Sequence, residues 1–290
     1  MKGIILAGGS GTRLYPITEG ISKQLMPIYD KPMIYYPLST LMSAGIRDIL
    51  VITTEQDQDS FKRLLKEGQD FGVNISYVVQ PSPDGLAQAF ILGEDFIKNE
   101  PCAMVLGDNI FAGAGLGKKY RKAVSNADDG LATIFGISVK DPERFGITEL
   151  KDGKVISVEE KPKKPKSKIA ITGLYFYPSG VVEKAKLVKP SPRGELEITS
   201  LNDMYLKDGV LNAEVLGEGH QWFDTGTFDS QMNAANYVKA EEENKDILIC
   251  CPEQIGYKNG WITKEELEGR AKLLSKNTYG QRLQKLINQK

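Results

Sequence analysis

Lys2-Gly3-Ile4-Ile5-Leu6-Ala7-Gly8-Gly9-Ser10-Gly11-Thr12-Arg13-Leu14-Tyr15-Pro16 is the stretch whose reading decides the fold. A short apolar run that empties into glycines has the form of a buried parallel strand ending in a loop. Small residues there let backbone N–H groups approach a polyphosphate without interference from Cβ atoms. Arg13 adds a planar fork of donors that suits phosphate oxygens, and Lys23 supplies a second cation ten residues on. The spacing fits neither common phosphate loop. A GxxxxGK[ST] loop is absent, since Gly113-Ala114-Gly115-Leu116-Gly117-Lys118-Lys119 has the wrong spacing and no Ser or Thr. GxGxxG fails as well, because Gly9 and Gly11 are followed by Arg13 and Leu14. That failure argues against a nicotinamide-dependent dehydrogenase.

Outward from this loop, elements alternate. Residues 32–44 carry helical spacing and stop at Gly45; residues 48–54 form an apolar strand run; residues 60–67 read as a helix and 75–79 as a strand. A helix is expected over 85–97 and a strand over 103–106, followed at once by Gly107-Asp108-Asn109. Such alternation indicates βαβ units and a mostly parallel sheet. After residue 130 the pattern changes to closely spaced strands at 131–138, 146–150, 154–159 and 169–177, then helices at 180–187 and 195–207. From Thr227 onward the chain reads as helical, with apolar residues at helical spacing over 264–274 and 279–288. The expectation is an α/β, Rossmann-like, mixed and mainly parallel sheet flanked by helices. A core over residues 1–228 would contain a small second part over about 140–222, and residues 229–290 would form a helical C-terminal region.

Composition narrows the chemistry. The chain has 290 residues, 37 Lys+Arg, 38 Asp+Glu, one His and three Cys. A net charge of −1 lacks the basic excess of a dedicated nucleic-acid binder. With His220 alone, multi-histidine metal clusters are excluded. Three cysteines, two of them adjacent, give no disulfide framework and point to a reducing compartment. No apolar run approaches the ~18 residues of a membrane span, and the first residues do not have the form of a signal peptide. A cytoplasmic protein bound to neither membrane nor nucleic acid is expected.

Four further segments could carry chemistry. Asp108 follows directly on a strand, at the edge where open sheets bind ligands; it could hold Mg²⁺, or close an Asx turn. Trp222-Phe223-Asp224-Thr225-Gly226-Thr227 sets a second carboxylate ahead of a helix, as a metal ligand or as a cap; the sequence leaves open whether it meets Asp108. Lys161 could reach a phosphate and Glu160 a sugar hydroxyl, or both could be a solvated strand end. Gln80-Pro81-Ser82-Pro83-Asp84-Gly85 makes a loop in which Gln80 could read a base edge, or simply turn strand into helix.

Taken together, these segments resemble the sugar-nucleotide pyrophosphorylases, nearly end to end, and most closely the branch that joins dTTP to glucose 1-phosphate. The anchors are GGSGTRLYPIT (8–18), SKQLMPIYDKPMIYYPLSTLMSAGIRDIL (22–50), QPSPDGLAQAF (80–90), LGDNIF (106–111), VEEKP (158–162), TGLYFY (172–177), RGELEIT (193–199) and WFDTGT (222–227). The resemblance implies transfer of dTMP from dTTP to α-D-glucose 1-phosphate, giving dTDP-glucose and pyrophosphate. It implies Mg²⁺ on Asp108 and Asp224, and catalytic roles for Arg13, Lys23, Asp108 and Lys161. Nucleotide contacts would come from Leu6, Gly8, Gly9, Gly11, Thr12, Arg13, Gln24, Gln80, Pro83 and Gly85. Sugar-phosphate contacts would come from Asn109, Gly146, Glu160, Lys161 and Glu195. A homotetramer with an interface or regulatory role for the C-terminal helices is also implied, with dTDP-deoxysugars such as dTDP-L-rhamnose downstream. UTP in place of dTTP, and a silent sugar-nucleotide sensor on the same fold, are the alternatives; a sensor should lack the cations or carboxylates present here.

The chain departs from that pattern in places. Phe145 stands where a tyrosine is common, which removes a hydroxyl. Ala112-Gly113-Ala114-Gly115-Leu116-Gly117 replaces an aromatic, histidine-bearing segment associated with a second, regulatory nucleotide site, and Lys258 stands where arginine is usual. These departures bear on feedback by dTDP-L-rhamnose and not on catalysis.

Overall fold

A computed structural model describes residues 1–9 and 11–288; Ser10 of the glycine loop lies outside the described residues. A nine-stranded sheet forms the centre. Its first half is parallel: Asn74–Val79, Asp48–Thr53, Lys2–Ala7 and Cys102–Leu106 lie side by side in that order. Ile5 pairs with Val51 on one side and Val105 on the other. The apolar runs are continuous because both faces are covered. Ile5, Val51 and Val105 point to the face packed by the Tyr35–Ser43, Gln58–Leu65 and Leu116–Asp128 helices. Ile4, Leu50 and Met104 point to the face packed by Gln88–Leu92, Val181–Lys186 and Ile198–Lys207.

Strand direction reverses beyond Cys102–Leu106. Ile169–Tyr177 runs antiparallel to it, with Leu174 opposite Val105, and continues to Gly146–Lys151 and the edge hairpin strand Lys154–Glu160. Ile169–Tyr177 also pairs with Ala132–Ser138, which carries the parallel strand Leu211–Leu216 on its far side. The register against Ala132–Ser138 slips between Ile171 and Tyr175. At that irregularity Gly173 donates its N–H to the Asn109 side chain at 3.0 Å. A Cβ on Gly173 would lie 2.6 Å from Leu106 and 2.7 Å from that same Asn109 oxygen.

The expected fold class holds, with adjustments to its elements. The helix expected over 85–97 is two short helices, Gln88–Leu92 and Glu94–Ile97, divided at Gly93. Gly93 packs against Ile4 and Leu50, where a Cβ would come within 3.2 Å of each. The helix expected from 195 begins at Ile198, because 195–197 is extended against the Gln80–Gly85 loop. Elements not expected from the sequence include Pro27–Ile28, Lys31–Pro32, Asn109–Ala112, Leu116–Asp128, Leu211–Leu216 and Gln221–Asp224, whereas Pro252–Lys258 falls in the expected helical end. In Leu116–Asp128, the buried Leu116, Tyr120, Ala123 and Ala127 do fall at helical spacing, but lysines and arginine between them obscure it.

The C-terminal helices are Phe228–Lys245, Pro252–Lys258, Lys264–Leu273 and Thr278–Asn288, and the last two build an apolar cluster around Leu267, Ala271, Leu283 and Ile287. They also pack on the sheet body. Ala234 and Val238 join Ile28, Met33, Tyr36 and Ile110 in one buried cluster. Beneath it, the fully buried Glu242 accepts from Lys31 at 3.0 Å, from Arg282 at 2.5 Å and from the Ile249 N–H at 2.9 Å. Among the described residues no helix is long and apolar enough to cross a membrane.

Candidate active site

The loops after Lys2–Ala7, Cys102–Leu106 and Asn74–Val79 leave the carboxyl ends of neighbouring parallel strands and converge. Between them lies a cavity of about 210 Å³. Leu6, Gly8, Gly9, Lys23, Gln24, Gln80, Pro83, Gly85 and Asp108 line it. Gly8 is glycine for lack of room, since a Cβ would stand 2.1 Å from the Gln80 amide oxygen. Gln80 is held in turn by donating to Gln88 at 2.7 Å. Gly85 has φ of +109°, and a Cβ there would meet the Leu196 backbone at 2.5 Å. This close approach lets the Leu196 N–H donate to the Asp84 carbonyl and the Ala87 N–H to the Leu196 carbonyl. The loop that could read a base is thereby stitched to the segment that carries Glu195.

A second cavity, of about 330 Å³, adjoins the first across the reversal in the sheet. Arg13, Asp108, Asn109, Gly146, Glu160, Lys161, Glu195 and Asp224 all line it. Leu86, Leu106, Asp108 and Glu195 belong to both cavities. Every candidate residue except Gly11 and Thr12 therefore lines one cavity or the other. Gly11, at φ of +59°, instead shapes the turn and accepts from the Thr18 hydroxyl at 2.8 Å, while Thr12 opens the Thr12–Leu14 turn that carries Arg13.

The two carboxylates do meet. Gln221–Asp224 pairs antiparallel with Asn109–Ala112, which places Asp224 opposite Asn109, next to Asp108. Thr225 locks the junction by donating its N–H and its hydroxyl to the Asp108 carbonyl, at 3.1 and 2.7 Å. Thr227 then caps the Phe228–Lys245 helix in a reciprocal box with Ser230. The Lys23 ammonium donates to Asp108 Oδ2, and the Asn109 amide donates to Oδ1 at 3.0 Å. Burial would raise the Asp108 carboxyl, but the Lys23 cation overrides it and holds Asp108 below the usual carboxylate range. Asp224 is pushed up, by burial first and then by the neighbouring Asp108 anion, with Lys23, Arg13 and Arg144 opposing.

Such a donor set suits a hard divalent cation. Among the described residues no group of three or more His, Cys, Asp or Glu is set to hold a metal. A cation here would complete its shell from substrate phosphates and water, the habit of Mg²⁺.

Several lining residues carried no assigned role from sequence. Arg193 donates to Glu197 at 2.8 Å and lies 3.3 and 3.4 Å from Glu160 and Glu195. The Thr199 hydroxyl donates to Glu160 at 2.6 Å. Trp222 donates its indole N–H to Asn109 at 2.6 Å and packs edge-on against Phe145, with ring centroids 5.2 Å apart. Phe145 thus keeps an aromatic wall without a hydroxyl. Arg144 stacks on that ring at 5.2 Å and pairs with Asp141. Arg193 and Thr199 flank Glu195 in the one short segment Arg193–Thr199, and that adjacency was the available signal.

A larger cavity, about 730 Å³, lies elsewhere. Ser39, Thr40, Ser43, residues 111–117 and residues 247–250 line it, so the departing glycine-rich segment faces it, while Lys258 does not.

Comparison with known proteins agrees with this geometry. The family model for nucleotidyl transferases matches residues 2–241. A glucose-1-phosphate thymidylyltransferase of Neisseria meningitidis serogroup A is 57% identical over 288 residues, covering 99% of each chain. The enzyme of that name from Mycolicibacterium smegmatis is 52% identical over 289 residues, again covering 99% of each. A Bacillus anthracis structure in complex with sucrose, provisionally assigned to the same activity, superposes with a TM-score of 0.76 at 44% identity, covering 82% of this chain and 94% of that one. A UDP-glucose pyrophosphorylase bound to UDP-glucose shares the fold, with a TM-score of 0.72 at 24% identity, covering 83% and 98%. The chain belongs to the nucleotidyl transferase family, among the glucose-1-phosphate thymidylyltransferases.

Proposed function

We propose that the protein transfers dTMP from dTTP to α-D-glucose 1-phosphate, releasing pyrophosphate and dTDP-glucose, the starting compound for dTDP-deoxysugars. The observation that carries this reading is the pair of cavities that meet at Asp108, one lined by a glycine loop and Gln80, the other by Lys161 and the carboxylates of Glu160 and Glu195. Nucleotide in the first and sugar phosphate in the second would bring the α-phosphorus and the attacking oxygen together at the shared wall.

The nucleophile is a phosphate oxygen. A phosphate monoester has a second pKa near 6, so it is largely dianionic at pH 7 and no general base is required. What the protein must do is align two anions and neutralise their repulsion. Lys161 holds the sugar phosphate; Arg13 and Lys23 hold the triphosphate and favour departure of pyrophosphate. Gln80 and the Gly8–Gly9 backbone orient the base and phosphates. Glu160 and Glu195 accept sugar hydroxyls, and the Phe145–Trp222 wall supports the ring. Asp108 and Asp224 would hold Mg²⁺, which would supply charge neutralisation on the phosphate oxygens. In the same reading, the chain works as a cytoplasmic homotetramer with its C-terminal helices at the interface.

The test is pyrophosphate release with dTTP or UTP crossed with several sugar 1-phosphates. Thymine differs from uracil by one methyl, worth about 1–3 kcal/mol, so UTP should work about 10- to 200-fold less well. Absence of release from every pair would overturn the reading.

A further inference from the structure

Both carboxylate oxygens of Asp108 are engaged. Asn109 donates to its Oδ1 and the Lys23 ammonium to its Oδ2. The lysine and aspartate side chains are only 13% and 12% exposed, so the ion pair is largely withdrawn from solvent. Asp224 stands beside it with no hydrogen-bonded cation of its own among the described residues.

A monovalent and a divalent cation cannot comfortably share this carboxylate. Their repulsion is strong where solvent is excluded, while a carboxylate left buried without any partner is costly. Lys23 therefore solves one problem and creates another. It stabilises the site in the absence of ligand, yet it holds an oxygen that a metal would need. The backbone around it is fixed: the Leu25 N–H donates to the Ser22 carbonyl, and the Ile34 N–H to the Gln24 carbonyl. Any exchange must come from the side chain, whose flexible four-carbon stem can swing. Lys23 also lines the first cavity, so incoming phosphates offer its ammonium a new anion.

We propose that Lys23 is the resident counter-ion of the ligand-free carboxylate pair, and that metal and triphosphate together displace it from Asp108 onto the phosphates. This rests on the metal reading given above and goes beyond it. Metal alone must compete with the lysine, whereas metal arriving with phosphates does not. The two ligands are thereby coupled in binding, and a free divalent cation is kept from settling in a site that has no nucleotide.

The probe is Mn²⁺ without nucleotide, with free ion followed by electron paramagnetic resonance. Lys23→Met and Lys23→Ala should bind it more tightly than the unmodified protein, on the order of tenfold, within the usual range of coupling between sites. Both variants should melt at lower temperature without metal and recover more on adding Mn²⁺ than the unmodified protein does. Equal Mn²⁺ affinity in all three proteins would overturn the exchange while leaving the metal site in place. So would submillimolar binding by the unmodified, nucleotide-free protein, a result that needs no variant to fold. Adding Asp108→Asn to Lys23→Met should abolish the gained affinity. If Mn²⁺ still binds tightly to that double variant, the ion lies elsewhere, and the metal assignment and the exchange fall together.

Discussion

Lys161 shows how much a single residue is asked to do. It follows the last strand residue Glu160 with φ of +41°, a left-handed conformation that non-glycine residues rarely adopt. Its N–H donates to the Phe145 carbonyl at 3.1 Å, and its side chain is half-exposed above the second cavity. Strain of this kind persists where the surroundings over-determine it, and it clusters at functional sites. The side chain is thus presented rather than packed. Lys161→Ala should raise KM for glucose 1-phosphate about 10- to 100-fold, the worth of one charged hydrogen bond. KM for dTTP should change little. Initial-rate kinetics varying each substrate in turn would decide it, and an equal rise in both KM values would refute the assignment. Gly8 makes the complementary case in the first cavity. In Gly8→Ala the new methyl would displace the Gln80 amide rather than any backbone atom. The dTTP KM should rise by roughly tenfold, the cost of one or two hydrogen bonds, with the melting temperature almost unchanged. A large fall in melting temperature with normal KM would show that Gly8 serves packing alone.

At the scale of elements, the Phe228–Lys245 helix ties the Asp108–Asp224 junction to the rest of the molecule. Its capping box at Thr227 begins three residues after Asp224, and Glu242 near its other end sits between Lys31 and Arg282. Burial raises the Glu242 carboxyl; the Lys31 ammonium opposes it. Removing one member of a buried ion network leaves the others unpaired, which typically costs about 3–5 kcal/mol. Glu242→Ala should lower unfolding stability by about that amount in urea titrations, and a change below about 1 kcal/mol would show that the network is not energetically important. This network was not legible in the sequence, because Lys31 and Glu242 are 211 positions apart. The same limit explains other omissions. The apolar runs announced the parallel strands, and the glycine loop announced the first cavity. Asn109–Ala112 and Gln221–Asp224 were missed because short two-stranded ribbons have too few residues to show a period. Lys23 and Asp108 were each legible as candidates, yet their pairing across 85 positions was not.

For the whole molecule, the two cavities divide where the sheet divides by direction. Residues on the parallel side line the first cavity, residues on the antiparallel side line most of the second, and Asp108 stands at the reversal. The C-terminal helices do not stand apart from this body. They share an apolar cluster with it through Ala234 and Val238, and buried ions through Glu242. Scanning calorimetry should accordingly give one cooperative transition. Two well-separated transitions would show that residues beyond 228 fold as an independent unit.

The reversal in the sheet also sets an order in time. Every strand of the parallel half lies within the first 106 residues, whereas Asp224 must be synthesised before it can pair beside Asp108. At 5–20 residues per second, that separation is a delay on the order of ten seconds. A nascent chain can thus hold a formed glycine loop and a parallel sheet well before it has a complete carboxylate pair. Until then Asp108 has Lys23 as the cation beside it, so the arrangement that suits the resting enzyme also suits the half-made one.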